Sequence, residues 1–317
     1  MTYRPLYFDC DTGIDDSLAL AYLLASPEIE LVGVGTVSGN IDAEQAAVNT
    51  LDLIALAGRT GVPVALGAHD HLARPYDGGV PHIHGRNGVG NIELPTSGTS
   101  TVAETAAEMI VRLSHEHAGE LELVAVGPLT NLAIALALDP SIVERIRAVT
   151  IMGGAAYASG NISPVAEANI YNDAEAAALV LAARWPVVLV PLDVTIENTL
   201  EEEDRHALLD SGRPMAVALG EMLDLYFGFY VDFYGRRSCS LHDPLAAAIA
   251  VGGIVATNAP AVSVVVDAST GPGRGQTICD LRDQRLGARD QPGATVRVVL
   301  DTDVPLAPHL MERLLSL

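Results

Sequence analysis

The segment Asp9-Cys10-Asp11-Thr12-Gly13-Ile14-Asp15-Asp16 places four carboxylates within eight positions. Carboxylates held this close repel one another unless something neutralises them. No arginine lies in the segment, and the chain contains no lysine at all: its 18 basic residues are all arginine. A divalent cation is the economical counter-charge, and an all-oxygen donor set favours Ca²⁺ or Mg²⁺ over zinc. Asp15 and Asp16 also suit a helix N-terminus, through capping and the helix dipole. Asp9 and Asp11, flanking Cys10 at the end of an apolar run, have no such local explanation. The absence of lysine excludes Schiff-base chemistry, amine nucleophiles and a P-loop.

Further polar sets lie downstream. Ser38-Gly39-Asn40, Gly127-Pro128 and Gly153-Gly154 each follow an apolar run of strand length. Gly160-Asn161-Ile162-Ser163-Pro164-Val165-Ala166-Glu167-Ala168-Asn169 offers two amides and a carboxylate, a set suited to sugar hydroxyls or to a solvated loop. In Leu241-His242-Asp243-Pro244, Asp243 is either a site residue or a cap for a helix with Pro244 at its first position. Gly33-x-Gly35 lacks the third glycine of a dinucleotide fingerprint, because Ser38 holds that position; we expect these glycines to let a strand end turn tightly.

The elements that must position these residues alternate. Leu6–Cys10, Ile29–Val37, Leu121–Val126, Ala148–Met152 and Val187–Val190 predict strands. Asp15–Ser26, Asp42–Arg59, Pro128–Asp139, Asp173–Arg184, Met215–Tyr234 and a segment after Pro244 predict helices, with further strands near Ala261–Asp267 and Thr295–Asp301. This succession predicts an α/β fold: an open, mainly parallel sheet with helices on both faces. Ligands of such sheets bind outside the carboxyl ends of the strands, where all the polar sets fall. His69–Ser100 and Gly153–Asn172 predict long functional loops. We expect one domain over residues 1–317.

The net charge of −22 makes nucleic-acid polymers and anionic membranes poor partners. No run is apolar enough for a membrane span, and the first residues lack a secretory pattern. The three cysteines, Cys10, Cys239 and Cys279, are too scattered for a disulfide framework. A reducing cytoplasm is the expected location.

Taken together, Asp9–Asp16, Gly39-Asn40, Gly127-Pro128-Leu129-Thr130-Asn131, Met152-Gly153-Gly154, Glu167-Ala168-Asn169 and His242-Asp243 resemble the inosine-uridine nucleoside hydrolase family, in its order and over nearly the whole chain. The resemblance implies a Rossmann-like core and hydrolysis of the N-glycosidic bond of ribonucleosides to free base and ribose. It implies Ca²⁺ held by Asp11, Asp16, Asp243 and the Val126 carbonyl. Asp11 would also be the general base for the attacking water. Asp15 and Asn169 would grip the ribose hydroxyls, with Asn40 and Met152 at the same site and Asn161 and Glu167 at the 5′-hydroxyl. His242 would lie near the base; His84, Tyr230 and Tyr234 are further candidates there, and His242, His84 or a tyrosine would give the leaving base a proton or a hydrogen bond. A homodimer or homotetramer is implied as well.

Two rivals differ in class. A haloacid-dehalogenase-like phosphatase shares Asp-x-Asp after a first strand but needs a basic residue, normally lysine. A Ca²⁺-dependent nucleoside- or sugar-binding protein would carry the same residues without turnover. For the base, Trp185 in Arg184-Trp185-Pro186 reads as a packing residue, so purine stacking between tryptophans is not expected. Tyr226, Tyr230 and Tyr234 recur every four residues and share a helix face, which leans the expectation towards pyrimidine nucleosides. The segments Tyr76–Gly90 and Leu223–Arg237 are expected to wall the base and close over it.

Overall fold

Along Leu6–Cys10 the side chains alternate between two apolar layers: Leu6, Phe8 and Cys10 enter one, Tyr7 the other. The same alternation recurs at Val124 against Leu123 and Ala125, at Met152 against Val149 and Ile151, and at Val190 against Val187 and Leu189. A sheet buried on both faces needs apolar residues at every position, which is why these strands read as continuous apolar runs. The structure, a computed structural model, describes residues 3–284 and 287–317.

The strands in chain order are β1 (Arg4–Cys10), β2 (Ile29–Thr36), β3 (Val64–Ala65), β4 (Glu122–Ala125), β5 (Ala148–Met152), β6 (Val187–Val190), β7 (Thr199–Glu201), β8 (Ser238–Ser240), β9 (Ala256–Asn258), β10 (Ala261–Val262), β11 (Val264–Val266), β12 (Thr277–Cys279), β13 (Val296–Val298) and β14 (Asp301–Thr302). The helices are α1 (Ile14–Ala25), α2 (Ala43–Leu56), α3 (Pro81–His84), α4 (Ala106–Glu116), α5 (Thr130–Leu138), α6 (Ala168–Asn172), α7 (Ala174–Ala182), α8 (Leu192–Thr195), α9 (Glu202–Asp210), α10 (Pro214–Tyr234), α11 (His242–Val251) and α12 (Leu306–Leu314).

Eight strands form one sheet in the order β10-β13-β6-β5-β4-β1-β2-β3. All neighbours run parallel except β10, which is antiparallel to β13 at the edge. Helices α1, α10, α11 and α12 contribute to one apolar layer, and α4, α5 and α7 to the other. The expected mainly parallel sheet with helices on both faces is what forms. Its order reverses between β1 and β4, and in open α/β sheets that reversal opens a crevice for ligands.

Several expectations change. The apolar stretches near Ala261–Asp267 and Thr295–Asp301 each break into two short strands, β10 with β11 and β13 with β14. Helices α4, α9 and α12 were not expected, although Thr105-x-x-Glu108 is a capping box whose reciprocal bonds start α4. Helix α11 starts at His242 with Leu241 as its cap residue, so Asp243 is not the cap. Gly33 and Gly35 turn nothing, because they lie inside β2. A Cβ on Gly33 would sit 2.7 Å from Met109 Sδ, and one on Gly35 1.8 Å from the Tyr7 hydroxyl oxygen. They are glycine so that α4 and Tyr7 can close on the strand.

Asn131, in the first turn of α5, ties three strand ends together. Its amide nitrogen donates to the Thr36 carbonyl at 2.9 Å and to the Asp9 carboxylate at 3.1 and 3.2 Å, and its oxygen accepts from Ala68 N–H. Asn131→Ala should therefore lower unfolding free energy by about 3 kcal/mol, since several buried polar groups lose their partner at once. Urea unfolding of variant and wild type measures this; a change below about 0.5 kcal/mol would show that these groups find other partners.

Candidate active site

A cavity of about 750 Å³ opens at the carboxyl edge of the sheet. Of the site residues named from the sequence, Asp15, Asn40, His84, Val126, Met152, Asn161, Glu167, Asn169, Tyr230, His242 and Asp243 line it. Asp11, Asp16 and Tyr234 do not.

Asp11 and Asp16 lie behind the floor, buried and bonded to backbone. Asp16 accepts from Asp11 N–H at 3.0 Å, from Gly13 N–H at 2.8 Å and from the Asn40 side chain at 3.0 Å. It thus serves the start of α1 and the site at once. Asp11 Oδ2 accepts from Asn40 N–H at 2.6 Å. The approach leaves no room for a side chain at residue 39, where a Cβ would sit 2.0 Å from that oxygen. Asp11 Oδ1 and Asp15 Oδ1 are buried and have no hydrogen-bond partner among the described residues.

Oxygens of Asp15, Asp16 and Asp243 lie within 4.8 Å of one another. The sequence reading placed Asp11 rather than Asp15 in this trio. Burial raises the pKa of Asp11, Asp16 and Asp243, and the neighbouring carboxylates raise them further. Hard oxygen donors, a surplus of negative charge and two orphaned oxygens all fit a bound divalent cation.

The carbonyls and amides around the floor follow from the fold. Asn169, on the five-residue α6, donates to the Val126 carbonyl at 2.7 Å and to the Met152 carbonyl at 3.3 Å, joining the ends of β4 and β5. Glu167 caps α6, accepting from Asn169 N–H, Ile170 N–H and Gly154 N–H. It is buried and pinned; Asn161 is exposed and accepts from Ala168 N–H.

The histidines have defined states. Ile14 N–H donates to His84 Nδ1 at 3.0 Å, so the ring proton of His84 sits on Nε2. Burial lowers its pKa, so the ring is neutral and its 3.8 Å approach to Asp15 is not an ion pair. His242 is buried too, which pulls its pKa down to about 4. Its two nitrogens meet the Thr195 hydroxyl at 2.7 Å and the Tyr230 hydroxyl at 2.9 Å.

The segments expected to wall the base do meet. His84 packs on Tyr226 with ring centroids 5.4 Å apart, and His82 on Phe229 at 6.0 Å. The three tyrosines of the predicted stripe pack on one another, with centroids 5.0 Å apart for Tyr226 and Tyr230 and 5.7 Å for Tyr230 and Tyr234, but their hydroxyls meet different partners. Tyr226 donates to Asp15 Oδ2 at 3.0 Å and Tyr230 meets His242. The Tyr234 hydroxyl bonds Ser240 Oγ and the Ile196 carbonyl, on two residues of the cavity lining, while Tyr234 itself does not line it. Helix periodicity aligns their Cβ atoms but not the neighbours that their hydroxyls meet.

The family profile described as inosine-uridine preferring nucleoside hydrolase matches residues 6–307. The chain belongs to this family. It is 32% identical to the probable uridine nucleosidase 2 of Arabidopsis thaliana, over 99% of this chain and 98% of that protein. It is 36% identical to the inosine-uridine preferring nucleoside hydrolase of Leishmania major, over 89% of each. A solved structure, the purine-preferring ribonucleoside hydrolase from Gardnerella vaginalis, superposes with a TM-score of 0.91 at 33% identity and covers 99% of this chain and 98% of that one.

The nucleoside hydrolase is therefore an enzyme acting on N-glycosyl bonds, and the phosphatase reading falls away. Sequence reasoning missed two groups of this hydrolase's site. Thr195, on the short α8, carried no motif. Phe229 and Phe233 line the cavity between and beyond the named tyrosines, and their helical spacing was readable. Among the described residues no helix is long and apolar enough to cross a membrane, and the three cysteines are unpaired.

The electrostatics predict a pH dependence for the chelated protein. Burial raises Asp9 from 3.8 to about 7, and Asp11, Asp16 and Asp243 shift the same way. A group with a raised folded pKa binds protons better folded than unfolded, so stability is lost as pH rises through the window and regained on acidification. Melts in chelator should therefore rise in Tm from about pH 8 to about 6.5, the range above the ordinary histidine pKa. Below that, neutral buried His84 and His242 oppose the trend. A Tm that falls steadily from about pH 8 to about 6.5 would refute this account of the cluster.

Proposed function

We propose that the hydrolase cleaves ribonucleosides to free base and ribose with bound Ca²⁺, leaning towards uridine and cytidine. The observation that carries the metal is the pair of orphaned buried oxygens, Asp11 Oδ1 and Asp15 Oδ1, beside the trio of carboxylates. Asp11, Asp16, Asp243 and the Val126 carbonyl would hold the ion, with Asp15 next to them. When bound, the ion supplies Lewis acidity that makes water easier to deprotonate.

The chain's own residues carry the remaining steps. Asp11 is the base that takes the water's proton. Asp15 and Asn169 hold the ribose hydroxyls, and Asn161 and Glu167 hold the 5′ end, so the sugar is fixed against the attacking water. Positive charge grows on the ribose as the bond to the base lengthens, and the carboxylate-rich floor stabilises it. The leaving base gains negative charge on its ring. His84 donates its Nε2 proton in a hydrogen bond to it, and the Thr195–His242–Tyr230 chain supplies a hydrogen bond or a proton from the other side.

The pyrimidine lean is supported by the wall. Trp185 is fully buried, with its Nε1 donating to the Val180 carbonyl, so no tryptophan is available to stack on a purine. Tyr230, Phe229 and Phe233 provide the aromatic face instead. We further take the chain to act as one unit over residues 1–317, as a homodimer or homotetramer in the cytoplasm.

Incubation with uridine should release free ribose in the presence of calcium, and chelation should abolish the release. Binding of uridine without ribose would leave a nucleoside-binding protein instead, and full activity in chelator would remove the metal. Asp11→Ala should lower kcat about a thousandfold, equivalent to about 4 kcal/mol of barrier. Asp9→Asn should cost far less, because both Asp9 oxygens are taken by Tyr7 and Asn131, whereas Asp11 keeps an unpartnered Oδ1. Equal losses would refute the assignment of the base.

On the base itself, kcat/KM should be higher for uridine and cytidine than for inosine and adenosine. A purine preference above about tenfold, about 1.4 kcal/mol, would overturn the lean and leave the reaction intact.

A further inference from the structure

We propose that Tyr226 is a positioning residue for the ribose: its hydroxyl locks the carboxylate of Asp15 and thereby sets how strictly a ribose hydroxyl is demanded. This rests on the reading of Asp15 as a ribose-gripping residue. Asp15 and Asp16 are adjacent in sequence but differently held. Asp16 accepts three hydrogen bonds, two of them from backbone. Asp15 accepts one side-chain hydrogen bond among the described residues, from Tyr226 to Oδ2 at 3.0 Å. Its Oδ1 has none. His84 Nδ1 lies 3.8 Å from Oδ1 but carries no proton, because its lone pair is taken by Ile14 N–H.

The χ2 torsion of an aspartate is broad, so a carboxylate held by nothing turns easily. A donor on Oδ2 restrains that freedom and fixes the directions in which Oδ1 and the remaining acceptor site of Oδ2 point. Tyr226 is well placed to hold it. The residue is 1% exposed, and its ring is wedged between His84, at 5.4 Å, and Tyr230, at 5.0 Å between centroids. The ring cannot leave without displacing both. Helix α10 also carries Phe229 and Phe233 of the base wall. One helix therefore touches the base and orients the ribose-binding carboxylate.

A site built to hydrogen-bond a hydroxyl rejects an analogue lacking it by several powers of ten, provided the acceptor is fixed. Tyr226→Phe removes only the hydroxyl, keeping the ring and its packing. The ratio of kcat/KM for uridine over 2′-deoxyuridine, and over 3′-deoxyuridine, should be measured for wild type and variant. We expect at least one ratio to fall by about tenfold or more, mainly through lost activity on uridine. Tyr226→Phe added to Asp15→Asn should lower that ratio no further, because the tyrosine acts through the aspartate. Both ratios within about twofold of wild type, or a further fall on the Asp15→Asn background, would overturn the role of Tyr226. Wild-type protein that splits no nucleoside would overturn it together with the reading it rests on, and is distinguishable because the failure then precedes any substitution.

Discussion

The structure depends on one electrostatic constraint: several carboxylates must sit together, out of water, without a cationic side chain beside them. Removing an isolated ionised group from water costs several kcal/mol even after relaxation. Here Asp11, Asp15, Asp16 and Asp243 are all nearly fully buried. What holds the first three is the peptide backbone of Asp11, Gly13 and Asn40, together with the Asn40 amide and the Tyr226 hydroxyl. These donors balance only part of the charge. The remaining oxygens suit a hard cation, at the floor of the cavity.

The fold supplies this arrangement through its connectivity. The switch between β1 and β4 brings the carboxyl ends of β1, β2, β4 and β5 to one crevice, which gathers Asp11, Asn40, Val126 and Met152 from distant parts of the chain. Glycine 39 lets the second strand end approach the first. Asn131 and Asn169 then cross-tie the strand ends from the helix side. These two amides do complementary work, one behind the floor and one inside the cavity. A buried polar network of this kind rigidifies its members when every one is satisfied.

Much of this was readable because it is local. β5 and β6 match their expected bounds, since a strand buried on both faces writes an uninterrupted apolar run with clear turn residues at each end. The family motifs were equally legible, because each is a short local run at a strand end or a helix start. α4 was missed although its capping box is present, and α9 and α12 were missed because packing against the rest of the protein contributes most of a short helix's stability. Tyr234 was expected near the base; it stacks on Tyr230 and does not itself line the cavity. Its spacing is right, but the Ser240 hydroxyl and the Ile196 carbonyl reach it first.

The sequence by itself determined the class of fold, the edge of the sheet at which the cavity opens and the inventory of carboxylates, amides and histidines there. Those follow from periodicity, from the excess of Asp over basic residues and from short motifs, all of which act within a few residues. Tertiary structure alone decided that Asp15 joins Asp16 and Asp243, that His84 carries its proton on Nε2, that Thr195 backs His242 and that Tyr226 faces Asp15. Each of these depends on at least one contact between groups far apart in the chain, made or excluded by distances of a few tenths of an ångström. Hydrogen bonds weaken steeply over that range, and no spacing along a sequence encodes it.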